Sequence, residues 1–221
     1  MIRIDKAKWR SVLTRSAIVV LVFVLLLEIK FVDLNIKANS LSRPWFEDVL
    51  LNENDAYALI IDSLPNVKYR LDVRLEVTRG SALVILNNGS KILIEAGLLP
   101  PPPIEITLTR DLRYDGFIPR GLWSYTYTWL NINGSLYKSV PPSISGNLTF
   151  KVIEVSFELS RERPVDAKLI HLGSLSASTL GNATYLVDVL SDAAGPTPAL
   201  IVVGLSGGTI IRLSWYWVVV A

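Results

Sequence analysis

The 221-residue chain contains no cysteine and no glutamine, a single histidine, His171, and a single methionine, Met1. Without cysteine, disulfide bonds and thiolate metal sites are excluded. With one histidine, a zinc site would need carboxylates for most of its ligands, which is uncommon. We therefore expect neither a metal ion nor a cofactor.

The missing residue types also bear on the source of the protein. Joint depletion of Gln, Cys and Met is the pattern expected of proteins selected at high temperature. Asparagine is not depleted, but four asparagines belong to Asn-x-Ser/Thr sequons, namely Asn88, Asn133, Asn147 and Asn182. Sequons without disulfides, together with this depletion, indicate a glycosylated surface protein of a thermophilic archaeon.

The chain has no marked excess of one charge, with 22 Lys and Arg against 20 Asp and Glu. Basic residues precede an apolar run near the N-terminus, among them Lys6, Lys8, Arg10 and Arg15. The remainder is slightly acidic, so nothing indicates nucleic acid as a partner.

The apolar run extends from Ser16 to Leu27, and a helix of that length spans only about 18 Å of the ~30 Å hydrocarbon core. Extending it over Val12–Val32 gives sufficient length and includes Arg15, Glu28 and Lys30 near its ends. We predict a transmembrane signal anchor at 11–33. The short basic tail at 1–10 would be cytoplasmic, and the rest of the single-pass chain extracellular.

Two other interpretations of this segment stay open. A cleaved signal peptide needs small residues at its cleavage site, and Glu28–Asp33 offers none, which leaves Ala38 as a late candidate. Arg15-Ser16, just before the apolar helix, resembles the processing site of archaeal type IV pilin precursors. In that family the helix polymerises after cleavage, so the resemblance implies a filament subunit.

The four sequons all follow the apolar run, so they read as glycosylation sites exposed to a glycosylating compartment. Asn88 and Asn133 are each followed by glycine, a pair that favours the tip of a hairpin. Hairpin tips are accessible to modifying enzymes. The sequence therefore predicts that glycans are carried outside the membrane.

Most of the extracellular chain is predicted to be strand. Ser42-Arg43-Pro44 is typical of a helix start, so we predict a short helix through Leu51 within a linker at 34–64. From Val67 to Val77 apolar residues alternate with charged ones, which indicates a strand with one dry face. This strand opens the predicted β-domain at 65–221.

Further strands are indicated by β-rich runs and turns. Ala82–Leu86 and Lys91–Glu95 flank Asn88-Gly89, and Tyr125–Trp129 precedes Asn133-Gly134, so both pairs predict hairpins. After Leu148 the apolar phase shifts by one residue between Val152 and Ile153, which predicts a β-bulge. Two other segments are candidate strands, Ala167–Leu172 and Thr184–Leu190.

The C-terminal run Ala199–Ala221 is apolar and contains Gly204, Gly207 and Gly208. We predict a hairpin of Ala199–Leu205 and Thr209–Val220 rather than a second membrane span, with its apolar last strand buried on both faces or covered by a partner. Pro100–Pro103 is predicted to cross between sheets. The pattern favours an all-β fold, an antiparallel β-sandwich or jelly-roll-like extracellular domain preceded by a single transmembrane helix.

No segment predicts catalysis. Gly204–Gly208 matches G-x-S-x-G, but a strand follows the serine and the histidine precedes it, so we expect a turn. His171 lies in an apolar strand and is expected to be structural. Asn52–Asp55 is a dense cluster of oxygen ligands, but it lacks the glycine and the distal glutamate of an EF-hand loop.

The aromatic residues Trp123, Tyr125, Tyr127 and Trp129 share one face of a strand. Exposed, such a row is able to stack on sugar rings; facing inward, it belongs to the core. Our main hypothesis is a membrane-anchored cell-surface protein with a structural or protein-interaction role and no enzymatic activity. It would contact envelope or filament proteins, or itself. The alternatives are a polymerising filament subunit, pilin-like or joined by strand exchange, and a carbohydrate-binding module.

Overall fold

The computed structural model of the protein describes residues 45–97, 102–111, 121–139, 148–193 and 195–220. These ranges lie within one unit of the chain, Arg43–Ala221. Within them, no helix is both long and apolar enough to cross a membrane, and the predicted anchor at 11–33 lies outside them.

The described residues form strands and two short helices. The strands are β1 (Trp45–Leu51), β2 (Asp55–Ser63), β3 (Lys68–Arg79), β4 (Ser81–Leu86), β5 (Lys91–Glu95), β6 (Ile104–Asp111), β7 (Trp123–Ile132), β8 (Ser135–Tyr137), β9 (Phe150–Leu159), β10 (Val165–Ser174), β11 (Thr197–Gly204) and β12 (Thr209–Val219). The helices are α1 (Ala177–Gly181) and α2 (Ala183–Leu190). The prediction of an all-β domain is confirmed.

The strands pair antiparallel in three sheets. Sheet A has the order β1-β12-β3-β6, sheet B the order β10-β2-β11-β4-β5, and sheet C the order β8-β7-β9. One hydrophobic core joins sheet A to sheet B, and a second joins the other face of sheet B to sheet C and α2. The architecture is therefore β-sandwich-like, with sheet B as the middle layer.

The middle position of sheet B explains its sequence. Strand β11 is almost continuously apolar, and Leu200 enters one core while its neighbour Ile201 enters the other. Strand β3, in sheet A, instead alternates: Tyr69, Leu71 and Val73 face the core while the residues between them face outward. A strand with one wet face shows period two, and a strand covered on both faces does not.

Both predicted hairpins are confirmed. Strands β4 and β5 pair around Asn88-Gly89, with Gly89 in the left-handed region at φ 80°. Strands β7 and β8 are joined by Asn133-Gly134, and both residues of this two-residue turn have positive φ. Such turns favour Asn-Gly because glycine adopts positive φ without steric cost.

The predicted linker and its short helix are wrong over the described part of 34–64. Residues 45–51 form β1, which pairs with β12 along its length, and β2 is an inner strand of sheet B. Val49 and Leu51 enter the core while Leu50 is exposed, which is strand periodicity. Ser42 and Pro44 resemble a helix start only locally, and strand pairing overrides that preference.

The predicted strand Thr184–Leu190 is also wrong, because this segment belongs to α2. The Asn182 side chain caps the helix by accepting a hydrogen bond from the Tyr185 backbone N–H. Leu186 and Leu190 are four residues apart and both are buried, which is helical spacing. Its β-branched residues misled the sequence interpretation because helix propensity is a weak guide beside tertiary packing.

The predicted bulge in β9 is absent. The β7–β9 register runs without a shift from Trp123 opposite Leu159 to Ile132 opposite Phe150. The change of apolar phase has another cause, since Phe150 and Val152 point outward and are 52% and 51% exposed. Ile153 and the following odd-numbered apolar residues face the core.

The C-terminal strands form as predicted, but they do not make a hairpin. Strand β11 pairs with β2 and β4 in sheet B, whereas β12 pairs with β1 and β3 in sheet A. The turn at Ser206–Gly208 therefore carries the chain from one layer to another. The chain also passes from sheet B to sheet A between β5 and β6, the interval of the sequence that contains Pro100–Pro103 and for which a crossing was predicted; Pro100 and Pro101 lie outside the described residues.

Candidate functional site

The four aromatic residues of β7 lie on its inner face, toward sheet B and α2. Trp129 is 2% exposed and belongs to the core, where its indole N–H donates to the Val189 carbonyl at 3.0 Å. Tyr127 packs against the same core and meets the Phe157 ring edge-on at 6.0 Å between centroids. These two residues therefore join sheet C to the layer beneath it.

The other two aromatic residues are half-buried. The rings of Trp123 and Tyr125 are nearly parallel, with 7° between their planes and 6.3 Å between centroids. On the opposite, exposed face of β7, Thr126 lies within hydrogen-bond distance of Ser156 on β9. The predicted stacking set is thus divided, with Trp129 inside the core and Trp123 and Tyr125 at its margin.

Two buried aspartates lie beneath this margin, and the sequence analysis did not single them out. Asp62 on β2 and Asp166 on β10 are directly opposite each other in the register. Asp62 accepts from the Tyr127 hydroxyl at 3.1 Å, and Asp166 from Arg163 at 3.1 Å. Burial raises the pKa of Tyr127, and the Asp62 charge raises that pKa further. In the sequence, Asp62 and Asp166 could have been recognised as acidic residues near one end of an apolar strand.

A second polar cluster surrounds His171. Its Nε2 lies 2.5 Å from an Asp55 carboxylate oxygen, and its Nδ1 lies 3.0 Å from the Lys151 amine. The Tyr57 ring stacks on the imidazole with 4.6 Å between centroids and 19° between planes. The cluster joins β2, β9 and β10, so it forms only when sheets B and C pack together.

The surroundings of this cluster shift the pKa values of two of its side chains, Tyr57 and Lys151. Burial raises the pKa of Tyr57, and the Asp55 and Glu47 carboxylates add to the shift. Burial lowers the pKa of Lys151, with Asp55 opposing that shift in part. Asp55 is the last residue of the Asn52–Asp55 segment, and its carboxylate engages His171. In the described ranges, no group of three or more His, Cys, Asp or Glu residues is arranged to hold a metal ion.

Three sequon asparagines lie in the described ranges, and all three are exposed: Asn88, Asn133 and Asn182. Asn88 lies in the β4–β5 turn, Asn133 in the β7–β8 turn, and Asn182 at the junction of the two helices. The fourth, Asn147, lies outside the described residues. Exposed turns and helix caps are places where a glycan meets no packed neighbour.

These sequon segments gather beside the helices. The Ser176 N–H, at the start of α1, donates to the Gly134 carbonyl at 2.9 Å. Lys91, which follows the β4–β5 turn, donates to the Leu180 carbonyl at the end of α1 at 2.6 Å. Both turns therefore border α1, and Asn182 lies between α1 and α2. The three sequons share one side of the domain.

The G-x-S-x-G match is a turn in the structure. Ser206 lies between β11 and β12, and a strand rather than a helix follows it. Its hydroxyl accepts from the Ser81 backbone N–H at 3.2 Å and lies 3.1 Å from the Thr209 hydroxyl. These contacts fasten the crossing between sheets and give the serine a structural role.

The outer face of sheet A carries a shallow polar cavity of about 680 Å³. Asp72 lines this cavity and accepts hydrogen bonds from Thr107 at 2.8 Å and from Arg70 at 3.1 Å. Burial alone would raise the pKa of Asp72, but hydrogen bonds from Tyr216 and Thr107 and the charge of Arg70 lower it overall. Neighbouring charges of both signs satisfy each other here, as on a solvated sheet face.

No protein-family model, curated protein or solved structure matches the chain. The residues and their geometry are therefore the basis for a function. The shared, exposed side of Asn88, Asn133 and Asn182 is the feature that bears most directly on function.

Proposed function

We propose that this protein is a single-pass, N-glycosylated cell-surface protein of a thermophilic archaeon with a structural or protein-interaction role. Its transmembrane anchor would be residues 11–33, and its all-β domain would be extracellular. The observation that carries the proposal is the shared, exposed side of Asn88, Asn133 and Asn182 beside the helices. Buried or scattered sequons would not support a glycosylated face.

The basic N-terminal flank supports the orientation of the anchor. Lys6, Lys8 and Arg10 precede the apolar run, and basic residues are retained on the cytoplasmic side. The chain beyond the run is then delivered outside, where the sequons meet the glycosylation machinery. Anchor and sequons thus support the same topology independently.

The interaction role is supported by an apolar row on the outer face of sheet C. Leu148, Phe150 and Val152 are each about half exposed, at 45%, 52% and 51%. They lie on alternate positions leading into and along β9, so their side chains share one face. Contiguous exposed apolar side chains mark protein contacts on soluble domains. The partners would be envelope or filament proteins, or a second copy of the chain.

Intact mass and N-terminal sequencing of the protein from native membranes test this proposal. We expect an uncut N-terminus and added glycan mass, with peptide mapping locating the glycans at sequon asparagines. A terminus at Ser16 would favour the pilin-like filament subunit instead, and one near Ala38 a released protein. An unmodified chain of unaltered mass would overturn the glycoprotein proposal.

Matched variants separate glycosylation from folding. Thr184→Ala removes the Asn182 sequon but leaves the Asn182 cap on the Tyr185 N–H intact. Thr184→Ser keeps the sequon and serves as its control. We expect Thr184→Ala to lose one glycan mass and Thr184→Ser to lose none. The same glycan mass on both variants would show that Asn182 is not used.

Fewer aromatic residues are available for binding a carbohydrate than the sequence predicted. Trp129 and Tyr127 serve the core, so stacking on a sugar would rest on Trp123 and Tyr125 alone. Titration of the full chain with soluble oligosaccharides tests it by tryptophan fluorescence. A saturable change lost in Trp123→Ala, but kept in a Trp217→Phe control, would favour this alternative.

A further inference from the structure

Lys151, His171 and Asp55 form a line of three hydrogen-bonded groups at the joint between sheets B and C. The Lys151 amine is 3.0 Å from Nδ1 of His171, and Nε2 of His171 is 2.5 Å from Asp55. The amine also donates to the His171 backbone carbonyl at 3.1 Å. The amine is therefore held in place from two directions.

The donors and acceptors fix the tautomer of the imidazole. Asp55 is 8% exposed, and its carboxylate only accepts hydrogen bonds, so Nε2 of His171 carries the proton between them. Nδ1 is then left with its lone pair, which faces the Lys151 amine. A base oriented by a buried carboxylate and directed at a nucleophile is the arrangement that activates serine and cysteine nucleophiles, and here it is directed at a lysine amine.

We propose that Lys151 is a nucleophilic amine site that reacts with aldehydes, with His171 as its base and Asp55 as the group that orients the base. The Nζ lone pair forms a bond to the aldehyde carbon while the carbonyl π electrons move to oxygen. Nδ1 of His171 takes a proton from the new ammonium and returns one to the oxygen. The carbinolamine then loses water to give an imine.

The site is open to a reactant. The His171 side chain is 42% exposed, so small molecules reach the imidazole from solvent. The stacked Tyr57 ring fixes the imidazole plane and keeps Nδ1 directed at the amine. Burial disfavours the ammonium form and lowers the pKa of Lys151, which increases the fraction of reactive free amine. The site requires neither the anchor nor the glycans.

The chain supplies its own comparison amines. Lys91 donates to the Leu180 carbonyl at 2.6 Å, and Lys138 donates to the Ser191 carbonyl at 2.6 Å. Both amines are held by backbone carbonyls, as Lys151 is, but the contacts of the described residues give neither an imidazole. A difference in rate therefore reports the burial of Lys151 and the His171–Asp55 pair rather than the tethering of an amine, and a variant of His171 separates these two causes.

The test is reductive alkylation of the purified full chain with limiting acetaldehyde and cyanoborohydride at neutral pH, with site occupancies followed by peptide mass spectrometry. We expect Lys151 to react about a hundredfold faster than Lys91 and Lys138, at the modest end of general-base assistance. Equal rates for the three lysines would overturn the proposal, and this comparison needs no variant to fold.

His171→Gln provides the second measurement. The glutamine amide N–H retains a donor for Asp55, but no basic nitrogen faces Lys151. We expect the Lys151 rate to fall most of the way to that of Lys91, while the Lys91 rate stays unchanged. A Lys151 rate that exceeds that of Lys91 equally in both proteins would assign the reactivity to burial alone and remove His171 from the site.

Discussion

Tyr127 on sheet C donates a 3.1 Å hydrogen bond to Asp62 on sheet B, and Asp62 is only 2% exposed. The second oxygen of the carboxylate accepts from the Ser63 backbone N–H at 2.8 Å. A buried carboxylate needs such donors, because its desolvation is otherwise not offset. The hydrogen bond therefore links the packing of sheet C on sheet B to the stabilisation of the buried Asp62 charge.

Tyr127→Phe should destabilise the domain by about 2 kcal/mol, since it removes a hydrogen bond to a buried charge and leaves that charge less satisfied. Denaturant unfolding monitored by tryptophan fluorescence measures the change. Tyr185→Phe is the control, because the Tyr185 hydroxyl donates to a neutral carbonyl, that of Leu136, and Tyr185 is exposed. A larger loss in Tyr185→Phe than in Tyr127→Phe would contradict this argument.

The same contact predicts a loss of stability in alkaline solution. The pKa of Tyr127 is raised in the folded state, by burial first and by Asp62 second, above the unfolded value of about 10. Above that pH the folded state binds more protons than the unfolded state, so the free energy of unfolding falls as pH rises. Below it, this contribution is fully present.

Unfolding curves at about pH 8, 10 and 11 check this dependence. Tyr57 and Tyr125 also have raised pKa values, so the wild-type protein responds to several tyrosines. The difference between the wild type and Tyr127→Phe isolates one of them. That difference should shrink as pH rises, and a constant difference would argue against a titrating Tyr127.

Gly134→Ala should destabilise the domain by about 2 kcal/mol through strain in the β7–β8 turn. Gly134 has φ 80°, and an added Cβ would lie 2.5 Å from the Ser176 backbone nitrogen. Gly181→Ala is the matched control, because an added Cβ there meets nothing within 4 Å and φ is not positive. Thermal melting should separate the two, with Gly181→Ala unchanged or more stable.

Neighbouring substitutions in β11 and β12 should respond differently. Leu200→Ala and Ile201→Ala should each cost about 2–5 kcal/mol, since the two residues fill opposite cores. In β12, Leu213→Ala should cost a similar amount, but Ser214→Ala, on the outer face, should stay within about 0.5 kcal/mol. Denaturant midpoints test the pattern, and a tolerant Leu200 or Ile201 would contradict the middle position of sheet B.

Local signals in the sequence predicted the strands and turns whose cause is local. The alternation of β3 is visible because one face of that strand meets water, and the two Asn-Gly pairs predict turns because glycine adopts positive φ. The helix α2 was missed for the opposite reason. Its β-branched residues disfavour a helix, and the Asn182 cap and the core contacts of Leu186 outweigh that preference.

The grouping of residues in the candidate sites could not be predicted from the sequence. Asp55 and His171 are 116 positions apart, and Lys151 comes from a third strand in another sheet. Nothing in the chain order brings these groups together, because cross-strand neighbours depend on register and on which sheet each strand joins. The aromatic set of β7 was identified as one face, but its division between the core and the margin depends on how sheet C lies over α2.

The β-character of the domain, the absence of disulfides and thiolate sites, and the turns at Asn88 and Asn133 could be predicted from the sequence, since these depend on composition and short-range conformational preference. Tertiary packing was needed to separate β11 and β12 into different layers, to place Asn88, Asn133 and Asn182 on one side, and to bring His171 to Asp55 and Lys151. These are long-range relations, and they follow from burying both faces of sheet B at once.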